Sequence, residues 1–250
     1  MSRGWNTRRL DLIEVFLLLA FVGISVWFAS GYLRVHPESA WLRAHYGPER
    51  HSEHSEEWVI RSFFDERPGG FFVDIGANHF RRFSNTYYLE KELGWSGIAV
   101  EPLKQFEADY LEHRPRTDFF SYFVSDTSDS ETTMFTLESE PLVSSAKKTF
   151  TQRWGENVVE LSVPTITLND LLDGQGVTFI DFLSMDIELS EPQALAGFDI
   201  DRFRPSLVGI EAHLEVRQQI LNYFAEHDYV IVGAYLRADT ENLYFAPLPG

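Results

Sequence analysis

The chain has 250 residues, 44% hydrophobic and 15% aromatic, which is enough apolar material for a packed core and argues against disorder as the main state. It has no cysteine, which excludes disulfides, zinc–thiolate sites, iron–sulfur clusters and a cysteine nucleophile. A net charge of -17 disfavours nucleic acid as a partner, since phosphate binding needs clustered Lys and Arg and the pairs Arg8-Arg9, Arg81-Arg82 and Lys147-Lys148 are short and scattered.

Residues 1–14 read as a short tail. Residues 15–33, VFLLLAFVGISVWFASGYL, carry no charge. At about 1.5 Å per residue such a helix spans roughly 30 Å, the apolar thickness of a bilayer, so the stretch predicts one transmembrane helix. Trp27 and Tyr32 near its far end suit an interface. A cleaved signal peptide fits less well, because the apolar run is long and Ala29-Ser30-Gly31 makes a poor cleavage site. The expected location is a single-pass membrane protein. Arg3, Arg8 and Arg9 before the helix are denser than Arg34, Arg43 and Arg50 after it, which leans the body outside the cytoplasm.

Residues 34–54 read as a polar linker, and 55–250 as one domain. A helix is expected over 55–64, with Ser55 as cap and Glu57 in the first turn, stopped by Arg67-Pro68-Gly69-Gly70. Then come a strand at 71–75, a helix at 84–93, a strand at 98–100, a helix at 104–112 and a strand at 119–124. Residues 125–157 are rich in Ser, Thr, Asp and Glu, with one strand-like piece at 132–137. They predict a hairpin plus a mobile loop, either a lid or a solvated insertion. A helix at 168–172, a strand at 177–186 buried on both faces, and a helix from Pro192 follow. A strand at 206–210, a helix at 216–226 and strands at 229–232 and 243–245 complete the chain. Phe71, Phe72, Phe179 and Phe182 are assigned to the core. Strands alternating with helices give a doubly wound α/β fold with a mainly parallel sheet, and the short last connector makes the final strand antiparallel.

In such a sheet, ligands bind beyond the carboxyl ends of the strands. The first strand ends in Asp74-Ile75-Gly76-Ala77-Asn78, where Gly76 lets backbone approach a ligand and Asp74 and Asn78 offer hydrogen bonds. Ser84 and Asn85, at the start of the next helix, join this set. Glu101 ends the second strand, about 25 residues after the glycine turn, and can take both hydroxyls of a ribose. There is no full GxGxxG and no GK[ST], so a phosphate-rich cofactor fits poorly. A site made of acids suits a cationic nucleoside, and S-adenosylmethionine has a sulfonium, an amino group and a ribose diol. Asp186 and Glu188 end the fourth strand, and Glu211 and His213 the fifth. His213 is the candidate base, with a structural histidine as the alternative. Asp186 could equally hold the methionine amino group. Asp186, Glu188, Glu211 and His213 could also gather a divalent cation that lowers an alcohol's pKa. Arg81 and Arg82 read as a solvated rim or a seat for an anionic acceptor.

The blocks FVDIGAN, SNTYYLEKELGWSGIAVEP, VPTITLNDLL, IDFLSMDIELSEPQALAGF and RPSLVGIEAH resemble the FkbM-family methyltransferases in order and spacing, over residues 70–245. The resemblance implies a class I S-adenosylmethionine-dependent methyltransferase fold acting on a hydroxyl of a sugar or a polyketide-like product. Two departures stand out. His79 and Phe80 follow Gly-Ala-Asn where the family often has Asp-Gly, and Leu189 stands where it often has glycine. The acids remain, so the expected cofactor site is alive with a reshaped rim.

The leading expectation is a membrane-anchored O-methyltransferase acting on a saccharide, lipid-linked glycan or related metabolite. The alternatives are a non-catalytic binding or trafficking protein on the same fold and, more weakly, a nucleoside-binding oxidoreductase. An enzyme needs its body in the cytosol, where the cofactor is made, against the lean of the flanking charges. The sequence leaves the acceptor and the oligomeric state open.

Overall fold

The computed structural model describes residues 37–249. The predicted transmembrane helix at 15–33 lies outside the described residues. Among the described residues, no helix is long and apolar enough to cross a membrane. In chain order the elements are α1 (Pro37–Tyr46), α2 (Glu56–Phe64), β1 (Phe71–Ile75), α3 (Tyr87–Lys91), β2 (Ser96–Val100), α4 (Glu107–His113), β3 (Thr117–Phe120), β4 (Phe123–Val124), β5 (Glu131–Leu137), β6 (Glu140–Ser145), α5 (Lys148–Thr151), β7 (Val158–Ile166), α6 (Leu168–Gly174), β8 (Phe182–Met185), α7 (Glu191–Ala196), α8 (Ile200–Phe203), β9 (Leu207–Glu211), α9 (Arg217–Glu226), β10 (Tyr229–Ile231) and β11 (Asn242–Pro247).

Seven strands form the main sheet in the order β10-β11-β9-β8-β1-β2-β3. The five from β9 to β3 run parallel, and β11 lies antiparallel between β9 and β10. Both faces are covered, as parallel strands require. Val73, Ile75, Ile98, Leu183 and Val208 pack on one side with Leu168, Leu195, Ile220 and Phe224. Phe72, Phe182, Leu207 and Tyr244 pack on the other with Trp58, Ile60, Leu89 and Trp95. Register then fixes the site. Ile75 pairs with Val100 and with Met185, and Met185 with Ile210. The next residue of each strand is Gly76, Glu101, Asp186 or Glu211, so these four come out side by side at one edge.

Several expectations give way to tertiary structure. Part of the predicted linker is α1, whose Leu42 is buried against Trp58 and Val59. Ser55 makes no side-chain cap for α2. Ser52 Oγ accepts from Glu57 N instead, and Glu57 and Glu56 accept from His51 N and His54 N. The expected strand at 177–186 is ordered as strand only over β8. Upstream, the Asp181 carboxylate accepts from Phe71 N at the sheet's entry, and Phe179 is 48% exposed, so it is not core. The expected strand at 119–124 breaks in two, because the chain leaves the main sheet after β3 and pairs as β4 with β7. Residues 125–157 are no mobile loop. With β4 and β7 they build a second sheet, ordered β4-β7-β5-β6. β7 went unrecognised in the sequence although its burial alternates, with Leu161, Val163 and Thr165 more buried than Glu160, Ser162 and Pro164, because polar Thr165 and Pro164 interrupt the apolar pattern. This sheet roofs the carboxyl edge of the main one: Ser145 Oγ donates to the Glu188 carbonyl at 2.7 Å, and Lys147 Nζ to that of Leu189 at 3.1 Å.

Candidate cofactor and acceptor site

One pocket opens between the strand ends and the roof. Asp74, Gly76, Asn78, Ser84, Asn85, Glu101 and Asp186 all line it, together with Glu188 and Glu211. It encloses about 1020 Å³ of empty space, solvent at its mouth included. Among the described residues, its wall carries no Lys or Arg.

Gly76 has φ +82° and an added Cβ would meet the Asp186 carbonyl oxygen at 1.8 Å, so glycine is required on two counts. Asn78 takes the left-handed region too, at φ +46°, which Asn tolerates. Its N–H donates to Glu101 Oε2 at 3.1 Å, and Leu103 N donates to Glu101 Oε1 at 2.9 Å. These bonds fix the carboxylate against the loop. Burial pushes Glu101 up to about 7 against the two backbone donors, with Asp74 adding to the rise. Asp74 is also buried and raised by burial. It accepts from Thr86 Oγ1 at 2.7 Å and holds the helix that follows the loop. Ser84 Oγ accepts from Tyr87 N, and Asn85 Nδ2 donates to Ser184 Oγ.

The HFRR stretch closes on itself. His79 Nδ1 accepts from both Arg81 N and Arg82 N at 3.1 Å, and its ring stacks on Phe80. None of these four residues has a positive φ, so the family's glycine is not needed there. Arg81 and Arg82 are exposed. Leu189 is different: φ is +74°, directly after Glu188 at +53°. A buried leucine there carries backbone strain that glycine would relieve, in exchange for apolar packing.

At the far end Asp186, Glu188, Glu191 and Glu211 crowd together. Asp186 is exposed to the pocket interior yet ringed by protein. Burial, then Glu211, Glu188 and Glu191, raise its carboxyl well above the usual range. Glu191 is fully buried and pushed up to about 8 by burial and by Glu211. His213 sits behind Glu188 and Glu211, outside the pocket wall. Its Nε2 lies 3.1 Å from Glu188 Oε2 and 3.0 Å from Glu211 Oε1. Hydrogen bonds to those carboxylates raise it to about 10, so at neutral pH it is an imidazolium. The histidine expected as a base thus meets two acids through one nitrogen, Nε2.

Sequence reasoning missed the opposite wall. Glu53, His54, Glu56, Glu241 and Asn242 also line the pocket. Asn242 Nδ2 donates to Glu56 Oε1, and His54 Nε2 lies 3.2 Å from Glu241 Oε2. No local motif marks these residues, because they meet only when β11 inserts beside β9 with Asn242 opposite Glu211.

The buried acids predict a pH dependence of stability. Glu56 and Glu101 are each raised from 4.5 to about 7, Glu56 chiefly by burial with Asp239 nearby. The folded state therefore holds more protons than the unfolded chain across that window, and stability falls as pH rises from 4.5 to 7 and goes on falling above it, because Glu191 and His213 are raised to about 8 and about 10. His51 and His79, lowered chiefly by burial, oppose this below 6.5 but are less buried. Melting should be higher at pH 5 than at pH 8, by the equivalent of about 1–3 kcal/mol per acid. Glu56→Gln should flatten the curve, and a melting point that rises from pH 5 to 8 would contradict the assignment.

The strand order, with an antiparallel strand slipped into a parallel sheet, is that of the class I methyltransferase fold, and the acid-lined pocket lies at its strand ends. Residues 74–231 match the family described as the methyltransferase FkbM domain, and the chain belongs to that family. No curated protein matches the chain. It is similar to a TehB-like SAM-dependent methyltransferase from Corynebacterium glutamicum, at 13% identity and TM-score 0.45, covering 82% of this chain and 92% of that one. It is also similar to an O-methyltransferase from Bacillus cereus in complex with SAH, at 11% identity and TM-score 0.42, covering 89% and 96%.

Proposed function

We propose that the protein is an O-methyltransferase, anchored to a membrane by residues 15–33, which methylates a hydroxyl of a saccharide, a lipid-linked glycan or a related metabolite. The observation that carries this reading is the single pocket uniting the Gly76 turn, Glu101 and the carboxylates of Asp186, Glu188 and Glu211, with no Lys or Arg among the described residues of its wall. The donor set fits S-adenosylmethionine. A pocket of carboxylates suits its net positive charge, and Glu101 is held where a ribose diol can donate to it. Asp186 is the acid for the amino group, and Gly76 leaves room for close approach of the cofactor. When bound, the cofactor supplies a methyl group on a positive sulfur that departs as a neutral thioether. The carboxylates at the Glu188 end accept the proton that the acceptor hydroxyl gives up, and the roof sheet excludes water. The same negative wall favours a neutral or cationic acceptor over an anionic one.

Calorimetry on the full chain with S-adenosylmethionine and its demethylated product tests the cofactor step. Glu101→Ala should weaken binding by roughly 1.5–3 kcal/mol, about one to two decades in Kd. Melting curves separate this from loosening of the Asn78 and Leu103 amides. Unchanged affinity in a folded variant places the ribose elsewhere. Methyl transfer is then read on a panel of saccharides and lipid-linked glycans. Tight cofactor binding with transfer only to nitrogen or carbon would overturn the hydroxyl assignment.

A further inference from the structure

Glu188, Glu211 and His213 bring one ligand atom each within 4.8 Å of one another. The imidazole Nε2 lies 3.1 Å from one carboxylate oxygen and 3.0 Å from the other. Two ligands at about 2.1 Å from a metal and at right angles are about 3.0 Å apart, the spacing of an octahedral site. Glu211 supplies the second, independent observation. Its side chain is 8% exposed, and its Oε2 is buried with no hydrogen-bond partner among the described residues. Leaving a buried carboxylate oxygen unpaired is costly, and a cation held by both oxygens of Glu211 would relieve it. The ligands come from two neighbouring strands and the turns that follow them: Glu211 closes β9, His213 lies two residues beyond it, and Glu188 lies three residues beyond β8.

We propose that Glu188, Glu211 and His213 form a binding site for a divalent cation of the manganese type. One imidazole and two carboxylates make a donor set suited to Mn²⁺ and its neighbours rather than to Ca²⁺. The metal takes the place of the proton now shared by His213 Nε2 and the two acids, and that proton is released to solvent. Glu188 and Glu211 line the pocket, so the open positions of the metal face the acceptor end. Resting on the methyltransferase reading, the cation takes over the activating role from the free Glu188 and Glu211 carboxylates: it holds the acceptor oxygen and lowers the pKa of its hydroxyl, whose proton is released to solvent at the pocket mouth. Acceptors offering two adjacent oxygens are thereby preferred.

The test is a titration of the full chain with Mn²⁺ alone, following the loss of the free-ion electron paramagnetic resonance signal. One ion per chain is expected, with affinity reduced at least about ten-fold in Glu188→Gln and in Glu211→Gln. Glu241→Gln removes the same charge from the same pocket without removing a ligand, and should change the affinity by less than about three-fold. No binding up to millimolar Mn²⁺ by the folded wild type, or equal losses in all three variants, would overturn the site. Cofactor affinity measured in parallel keeps the two readings apart. Cofactor binding without Mn²⁺ binding rejects the cation alone, and Mn²⁺ binding without cofactor binding rejects the methyltransferase reading and leaves the metal site standing.

Discussion

Arg114→Ala should cost about 3–5 kcal/mol of stability, the range for stripping one partner from a buried ion pair. The Arg114 side chain is fully buried and that of Glu90 is 1% exposed, with Nε–Oε2 at 2.6 Å. Without the guanidinium, the carboxylate of Glu90 keeps only Thr117, Lys91 and a long bond from Arg116 N to neutralise it. Arg114 also donates to the Phe80 carbonyl at 2.9 Å and to the carbonyl and hydroxyl of Thr86. It therefore ties α3 and the end of α4 to the loop that supplies Ser84 and Asn85 to the pocket. A loss of this size is a large fraction of the stability of a typical domain. Chemical denaturation of the variant measures it. The double variant Glu90→Gln with Arg114→Met should recover part of the loss, since no uncompensated charge remains buried. A single variant within about 1 kcal/mol of wild type would mean that water reaches Glu90.

How much of this was legible in the sequence depended on where the signal lies. The parallel core was legible because β1, β2, β8 and β9 are short apolar runs, each ending on a glycine or an acid. The site residues were legible for the same reason, since strand ends in register bring Gly76, Glu101, Asp186 and Glu211 together. The roof was not. β5, β6 and β7 are polar, half-buried strands stabilised by pairing with one another, and a run such as Glu131–Leu137 carries little periodicity of its own. The state of His213 was also hidden. Its usual titration range suggested a base, and only the three-dimensional approach of Glu188 and Glu211 shows that its proton is held.

The two departures from the family pattern now have different physical meanings. At His79 and Phe80 the backbone is ordinary, and the histidine ring itself caps the turn, so the substitution changes the rim without straining it. At Leu189 the backbone is left-handed, so strain is accepted there for a side chain buried in the core under the roof. Neither change touches the three left-handed positions that shape the cofactor loop, Gly76, Asn78 and Phe83.

That distinction makes Gly76→Ala the most damaging single-atom change at the site. The new Cβ would sit 1.8 Å from the Asp186 oxygen and 2.9 Å from its carbonyl carbon, both backbone atoms of the strand paired beside β1. A left-handed φ adds about 1–2 kcal/mol for any residue with a Cβ. No rotamer change relieves this contact. Either β1 and β8 part at their ends or the Asp186 peptide turns away, and both moves disturb Glu101, Asp186 and the acids behind them. The expected result is a protein that fails to fold, or one that folds and loses at least about a hundred-fold in cofactor affinity, equivalent to about 2.8 kcal/mol. Gly69→Ala supplies the comparison. Gly69 also has a positive φ, at +69°, but nothing lies within 4 Å of its added Cβ. It should lose only the conformational cost, about 1 kcal/mol, and bind cofactor like wild type. Equal melting points for the two variants, with equal cofactor affinity, would mean that the Gly76 turn has room the geometry denies, and that the cofactor does not lie against it.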